Sequence, residues 1–184
     1  MTRTLSPGRA ALAACALIAV AAVAGCRSAG EDVPDKVTIG GGGIGARLTS
    51  LGGSAMGATV TFQQRDGFVA MLAGLRNAAP GRSFRVVIHA NGNCSSPNGF
   101  SAGPPWAPPG KADDLRHVVI STNSEGTGSV SARLPGWRLE GPEGLVGRSV
   151  VVHDGATGSL EAEPGVRNNR AACGVIGPMK GITL

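Results

Sequence analysis

The sequence has few charged residues and no apolar run long enough for a transmembrane helix. Only 16% of its 184 residues are charged, while 42% are hydrophobic, and that balance argues against intrinsic disorder. The apolar stretch at residues 10–24 is shorter than the roughly 20 residues that a membrane-spanning helix needs. No window of useful length shows the 3.6-residue period of an amphipathic helix. These absences argue against a disordered chain, a membrane-spanning helix and a helical domain.

Positive charge is also too weak to indicate a nucleic-acid-binding protein. The formal net charge is +5, but Arg3 and Arg9 belong to the N-terminal leader described below. Without them the chain keeps 15 basic and 12 acidic residues. A nucleic-acid footprint would be stronger and clustered on one face. We therefore expect no nucleic acid among the partners.

Residues 1–25 have the pattern of a secretory leader. Arg3 and Arg9 precede the apolar stretch, whose length suits the h-region of a signal peptide. The stretch ends in Val-Ala-Gly-Cys, which resembles a bacterial lipobox, and this resemblance implies that Cys26 is lipid-modified and becomes the first residue of the mature protein. The alternative is an ordinary signal peptide followed by an incidental cysteine. We expect an extracytoplasmic lipoprotein of the cell envelope, anchored to the membrane through Cys26.

Export limits how the four cysteines can be used. Cys15 leaves with the leader and Cys26 carries lipid, so Cys94 and Cys173 remain. In an oxidising compartment two remaining thiols most simply form one disulfide. Two separate buried thiols are the alternative.

Residues 26–45 are glycine-rich, which is typical of a flexible tether. Gly40, Gly42 and Gly45 happen to match the G-x-G-x-x-G pattern of dinucleotide-binding sites. That pattern requires a helix after it, whereas residues 46–49 alternate as a strand does. We therefore expect no dinucleotide site.

The remainder, residues 46–184, is predicted to form one all-β domain. Thirty glycines and short β-branched runs separated by turn residues favour seven or eight antiparallel strands in a barrel or sandwich. The clearest strand signals lie at residues 58–62, 67–72, 84–89, 118–121, 128–132, 148–153 and 171–176.

Several short motifs, taken in order, resemble the bacterial copper/zinc superoxide dismutases. Residues 89–94 are similar to that family's H-x-x-G-x-C motif, residues 147–153 to its G-R-x-x-V-V-H strand, and residues 170–176 to its R-x-A-C-G-V-I ending. The similarity runs from about residue 59 to residue 177. It implies a Greek-key β-barrel with a Cys94–Cys173 disulfide. It also implies an extracytoplasmic copper centre that converts superoxide to oxygen and hydrogen peroxide.

The resemblance implies four copper-binding histidines, of which this sequence keeps two. His89 and His153 match copper ligands, and Arg170 matches the arginine that attracts the superoxide anion. The other two positions hold Val87 and Pro105, which offer no ligand atom, although Val87 should face the metal because alternate strand residues face the same way. As alternatives, the histidines form a hydrogen-bonded pair without metal, and Arg170 only packs over the disulfide strand.

The zinc ligands implied by the resemblance are nearly all missing. Residues 113–115 resemble the segment that supplies the zinc aspartate, which would make Asp114 its equivalent. A second alignment assigns His117 to a family histidine and leaves Ile120 at the aspartate position. Either way at most one zinc ligand remains, whereas structural zinc takes four, so we expect no zinc. Thr157 stands where the family has an aspartate that supports the metal site.

Dismutation is therefore expected to be weak or lost. Two imidazoles suit a cuprous ion in linear geometry, whereas a cupric ion prefers a larger tetragonal set of nitrogen or oxygen ligands. Two other functions remain open. One is copper sequestration by His89 and His153, and the other is a non-enzymatic envelope module that binds a partner.

Overall fold

The structure is a computed structural model that describes residues 43–112, 118–155 and 169–179. These residues form nine β-strands and one turn of 3₁₀ helix. Among them no helix has the length and apolar character needed to cross a membrane. The strands are β1 (Gly43–Ser50), β2 (Gly57–Arg65), β3 (Phe68–Arg76), β4 (Ser83–His89), β5 (Val119–Ser121), β6 (Gly128–Pro135), β7 (Ser149–Asp154), β8 (Arg170–Val175) and β9 (Gly177–Met179), and the 3₁₀ turn covers Phe100–Ala102.

The strands pair antiparallel in the order β5-β4-β7-β8-β1-β2-β3-β6, with the short β9 added to β1. A tight turn joins the two end strands β5 and β6, where the amide of Asn123 donates to the carbonyl of Thr127 at 2.9 Å. The sheet is therefore a nearly closed barrel. Pairs such as β4–β7 and β1–β8 join strands that are far apart in the sequence, as in Greek-key barrels. The predicted all-β fold of about eight antiparallel strands is confirmed.

The barrel core follows from alternation along the strands. Successive side chains of a strand point to opposite faces, and every second residue of β3 from Val69 to Leu75 is buried. On β4 and β7 the inward residues include Val86, Ile88, Val150 and Val152. Both faces of these two strands are buried, so a second layer must cover their outer face.

The disulfide loop that leads from β4 through the 3₁₀ turn provides part of that cover. Cys94 in this loop is bonded to Cys173 of β8, with their Cα atoms 5.7 Å apart. Cys173, Val151 and Ala102 form a small apolar cluster, separate from the barrel core, against which Leu51 packs. The predicted disulfide is confirmed, and it ties the loop to the outer face of the sheet.

The first strand begins at Gly43, so the predicted tether extends three residues too far at its C-terminal end. Residues 43–45 pair with β9, and Ile44 and Gly45 also pair with β2. A Cβ atom at Gly45 would collide with the backbone of Val60 and the sulfur of Met179. Glycine is therefore needed here for close approach of strands, not for flexibility. The leader, Cys26 and tether residues 26–42 lie outside the described residues.

Candidate metal centre

The structure brings His89 and His153 together on the outer face of the sheet. In the β4–β7 register His89 lies opposite Ser149 and His153 opposite Arg85, with the Val87–Val151 pair between them. The two rings lean toward each other along the strands. Their Nε2 atoms are 3.0 Å apart, the ring centroids are 5.2 Å apart, and the ring planes differ by 16°. Both side chains are fully buried.

Each imidazole is oriented by an oxygen atom at its other nitrogen. Nδ1 of His89 lies 2.8 Å from the carbonyl oxygen of Gly103, and Nδ1 of His153 lies 2.9 Å from Oδ1 of Asn169. Such outer contacts fix the ring and the tautomer of a metal-binding histidine. Sequence reasoning missed Asn169, because nothing in the pattern around it indicates that a bulge will direct it toward a residue 16 positions earlier.

Burial keeps both histidines neutral at physiological pH. Desolvation lowers the pKa of His89 to about 3 and that of His153 to about 4. The positive charge of Arg170 lowers both pKa values further, while the hydrogen bonds to Gly103 and Asn169 act in the opposite direction. Neutral imidazoles are the form that binds metal ions, so the pair does not need to lose protons before it can act as a ligand.

Arg170 clamps the disulfide loop over the imidazole pair. Its guanidinium donates to the carbonyl of Gly99 at 2.7 Å and to that of Gly103 at 3.0 Å. The Gly103 carbonyl therefore contacts both Arg170 and His89. Arg170 is only 7% exposed, and it makes more specific contacts than simple packing over the disulfide strand. Attraction of an anion by this guanidinium stays a prediction.

A β-bulge directs Arg170 to this face of the sheet. In the β7–β8 register Val152 pairs with Ala172 but His153 pairs with Arg170, so Ala171 is the extra residue. Without the bulge, alternation would turn Arg170 toward the barrel core. The same irregularity brings Asn169 beside β7, where its carbonyl accepts the amide of Asp154 at 2.7 Å.

Val87 and Pro105 lie beside the imidazoles, at the positions where the resemblance implies further copper ligands. Val87 is buried on the same face of β4 as His89. Pro105 forms an isolated antiparallel bridge with His89, and the amide of Trp106 donates to the carbonyl of Ile88 at 2.8 Å. Neither Val87 nor Pro105 has a side-chain atom that binds metal.

The remaining predicted site residues lie outside the part of the chain that the structure describes. Asp114, His117 and Thr157 fall in the two gaps between the described ranges. Within those ranges no cluster of three or more histidine, cysteine, aspartate or glutamate side chains is able to hold a metal ion. The expected loss of zinc therefore stays a prediction.

Residues 56–176 match the family described as copper/zinc superoxide dismutase. The chain belongs to this family. The copper/zinc superoxide dismutase of Botryotinia fuckeliana is 31% identical over 150 residues, which cover 73% of this chain and 97% of the relative. That of Cordyceps militaris is 33% identical over 144 residues, covering 68% and 92%.

A solved structure with a similar fold is the crystal structure of the clock protein EA4. It is 26% identical, has a TM-score of 0.56, and the match covers 73% of this chain and 92% of that one. Membership of the copper/zinc superoxide dismutase family implies copper and zinc as cofactors and superoxide as substrate. His89 and His153 are the described residues of this chain that could contribute copper ligands.

Proposed function

We propose that this chain is an exported, lipid-anchored member of the bacterial copper/zinc superoxide dismutases in which dismutation is slow or absent. The observation that supports the proposal is the composition of the imidazole centre. Two Nε2 atoms face each other at 3.0 Å, while neighbouring Val87 and Pro105 provide no further donor. The centre therefore keeps two of the four histidines that bind copper in this family.

The donor set fits one oxidation state of copper better than the other. Two neutral imidazoles suit a cuprous ion, whereas a cupric ion prefers a tetragonal set of four or more nitrogen or oxygen ligands. A dismutase must stabilise both states in turn. Zinc, which takes four ligands in structural sites, would depend on residues such as Asp114 and His117. We therefore propose a protein without bound zinc and without an efficient redox cycle.

Export and lipid attachment at Cys26 are supported by the leader sequence and by the Cys94–Cys173 disulfide. A structural disulfide is typical of proteins outside the reducing cytoplasm. Mass spectrometry of the protein purified from its native envelope should find an acylated N-terminal Cys26 and copper without zinc. A chain that still carries residues 1–25, or one that holds stoichiometric zinc, would contradict this part of the proposal.

The dismutation rate is tested with copper-loaded mature protein in a xanthine oxidase assay. We expect a rate constant at least about a thousandfold below the diffusional ceiling of about 10⁸–10⁹ M⁻¹s⁻¹. The matched control is the variant His89→Ala/His153→Ala, which measures the contribution of loosely bound copper. A rate near the ceiling that disappears in the control would refute the claim of impairment.

The facing Nε2 atoms favour cuprous copper sequestration as a second candidate function. Both Nδ1 atoms contact oxygen, so the two Nε2 atoms are the ones available to a metal. A histidine–metal bond is about 2.0–2.1 Å for zinc, so a linear arrangement would require the two nitrogens to move apart by about 1 Å.

Thermal unfolding distinguishes these functions. A ligand that binds only the folded protein stabilises it by RT ln(1 + [L]/Kd). Cuprous ion should therefore raise the melting temperature of the wild type but not that of His89→Ala/His153→Ala. Equal melting temperatures with and without copper would exclude sequestration and favour a partner-binding module of the envelope.

A further inference from the structure

The four strands on one side of the barrel carry positive charge and no negative charge. β1, β2, β3 and β6 contain no aspartate or glutamate, and each contains one arginine: Arg47, Arg65, Arg76 and Arg133. Successive side chains of a strand point to opposite faces, and the residues on either side of Arg47 lie in the core. The same alternation holds on the other three strands. All four arginines therefore lie on the outer face of these strands, which we call the arginine face.

The strand register spreads the four arginines over the arginine face. Arg47 lies in one row with Thr59, Gly74 and Ser129 across the four strands. Arg65 lies farther along β2 than Thr59, by about 20 Å for an antiparallel strand. Adjacent strands are about 4.8 Å apart, so the four strands span about 14 Å. Arginine is the longest side chain of this face, and the residues of the row beside Arg47 are short.

The guanidinium groups of the arginine face are accessible. Arg47, Arg65 and Arg76 are exposed residues, and within the described part of the chain their guanidinium groups form no ion pair or hydrogen bond. Arg133 is also exposed, and its guanidinium carbon lies 4.2 Å from the centroid of the Phe68 ring. The turn between β2 and β3, at one end of the face, contains an aspartate. Positive charge therefore dominates this surface.

The arginine face and the imidazole centre lie on opposite sides of the barrel. The strands follow the order β5-β4-β7-β8-β1-β2-β3-β6, and a tight turn joins β5 to β6. β7, which carries His153, is therefore four strands away from β3 in either direction around the barrel. A surface that binds the arginine face leaves the side with the imidazole centre uncovered.

The lipid attachment proposed for Cys26 would keep the arginine face close to a membrane. Residues 27–42 separate Cys26 from Gly43, where β1 begins. A chain of this length spans at most about 60 Å when fully extended. Arg47 lies in the same strand, on the arginine face. Anionic phospholipid headgroups attract clustered basic residues that come within a Debye length, which is about 8 Å at physiological ionic strength.

We propose that the arginine face docks on an anionic phospholipid surface, that of the membrane holding the lipid on Cys26. Docking in this orientation directs the imidazole centre away from the bilayer and toward the aqueous compartment. Three observations support the proposal: the four arginines, the lack of acidic residues in their strands, and the entry of the chain at β1. The proposal rests on the lipid attachment proposed above, whereas its test uses protein without lipid.

Vesicle sedimentation measures the docking without the anchor. The protein is the mature chain, residues 26–184, with Cys26→Ser so that no acyl chain is attached. Vesicles of phosphatidylcholine and phosphatidylglycerol in equal parts are compared with vesicles of phosphatidylcholine alone. The protein should bind the anionic vesicles and not the neutral ones. Binding should weaken as the salt concentration rises, because salt screens interactions between exposed charges.

Single substitutions by glutamine remove the charge and keep a polar side chain. A basic residue close to an anionic surface strengthens binding about fivefold, so Arg47→Gln and Arg76→Gln should each weaken vesicle binding by that factor. The double variant should bind about 25-fold more weakly. Arg82→Gln is the matched control, because Arg82 is exposed but pairs with Asp154 of β7 at 2.7 Å, on the side of the imidazole centre. The control should bind as the parent protein does.

Three results would overturn the proposal. The first is equal binding to anionic and neutral vesicles, and the second is a loss in Arg82→Gln as large as that in Arg47→Gln. The third is binding to soluble dextran sulfate without binding to vesicles, which would assign the arginine face to an anionic polymer of the envelope. If Cys26 of the native protein carries no lipid but the vesicle results are as expected, the anchor fails while the docking surface is supported.

The orientation of the docked barrel has its own measurement. Anionic vesicles that contain a lipid with a spin-labelled headgroup broaden the NMR signals of amides near the membrane surface. The amide signals of β2 and β3 should be broadened more than those of β4 and β7. Equal broadening of the two sets, or stronger broadening of β4 and β7, would show that another face of the barrel binds the membrane.

Discussion

At the scale of single residues, the neutral state of His89 and His153 is the property that most affects function. Both are fully buried, and both Nδ1 atoms contact oxygens that orient the rings. A buried neutral imidazole is a ready nitrogen donor, whereas a buried imidazolium would cost several kcal/mol of desolvation. Val87, which lies between the two histidines in the register, fills the neighbouring volume with methyl groups that bind no metal.

The two lowered pKa values predict a loss of stability in mild acid. The unfolded histidines have pKa values near 6.5, and the folded ones about 3 and about 4. Between these values the unfolded chain binds more protons, so the free energy of unfolding falls as pH decreases from 6.5 toward 4. Each histidine should contribute a slope approaching about 1.4 kcal/mol per pH unit. Urea denaturation at several pH values measures it.

Carboxylates also titrate in this range. The test therefore compares the slope of unfolding free energy against pH between the wild type and a variant without the two imidazoles. The variant His89→Gln/His153→Gln lacks both imidazoles but keeps polar side chains of similar reach. Its unfolding free energy should depend less steeply on pH than that of the wild type between pH 6.5 and pH 4. Parallel curves would show that the imidazoles do not have the depressed pKa values described above.

Restoring imidazoles should raise the rate of dismutation. In the double variant Val87→His/Pro105→His, the new residues lie on the face of β4 that carries His89 and in the bridge beside it. A larger nitrogen set would suit the cupric state. We expect at least about a tenfold gain, equivalent to about 1.4 kcal/mol of barrier, in a xanthine oxidase assay with metal content measured in parallel. Val87→Ala/Pro105→Ala is the matched control, and an equal rate in both variants would contradict the argument.

At the scale of elements, the bounds of the two strands that carry the histidines were predictable from the sequence. The start of the first strand was not. β4 (Ser83–His89) and β7 (Ser149–Asp154) lie within one residue of the predicted runs, because β-branched residues and alternation define them. β9 (Gly177–Met179) is only three residues long and contains Pro178, so its sequence does not show the alternation that indicates a strand. Gly43 enters the sheet through its pairing with β9, whereas Gly45 pairs with both β9 and β2.

The close approach at the first strand predicts that Gly45→Ala destabilises the barrel. The added methyl group would meet the backbone of Val60 and of Thr61, so strands would have to shift. Overpacking of this kind costs about 1–3 kcal/mol. Gly74→Ala, in the second half of β3 with open space around the new methyl group, is the control and should be neutral or slightly stabilising. Urea denaturation of the two variants would disprove the argument if their unfolding free energies were the same.

At the scale of the whole molecule, the barrel provides a rigid face and the disulfide loop completes the site above it. The Gly103 carbonyl that orients His89 belongs to the loop, while Asn169 and Arg170 enter from β8 and the residue before it. The Cys94–Cys173 bridge joins these two parts across 79 residues. The site therefore depends on the loop being held to the sheet.

Removal of the disulfide should lower both stability and order at the site. In the chain-entropy model a loop of this length accounts for about 4–5 kcal/mol at most, so Cys94→Ser/Cys173→Ser should have a lower unfolding free energy. Hydrogen exchange of the Asn91 amide, which donates to the Ala102 carbonyl in the loop, should become faster. A reducing agent should have these effects on the wild type but not on the variant, and unchanged exchange at Asn91 would indicate that the loop is held by other contacts.

The sequence by itself determined the all-β fold, the disulfide partners and the family, because residue type, alternation and short motifs carry that information locally. It also indicated His89, His153 and Arg170 as the residues of interest. Only the tertiary structure decided the Nε2–Nε2 contact, the double use of the Gly103 carbonyl and the position of Asn169. These depend on side-chain rotation and on a one-residue bulge between β7 and β8, and neither leaves a periodic signal in the chain.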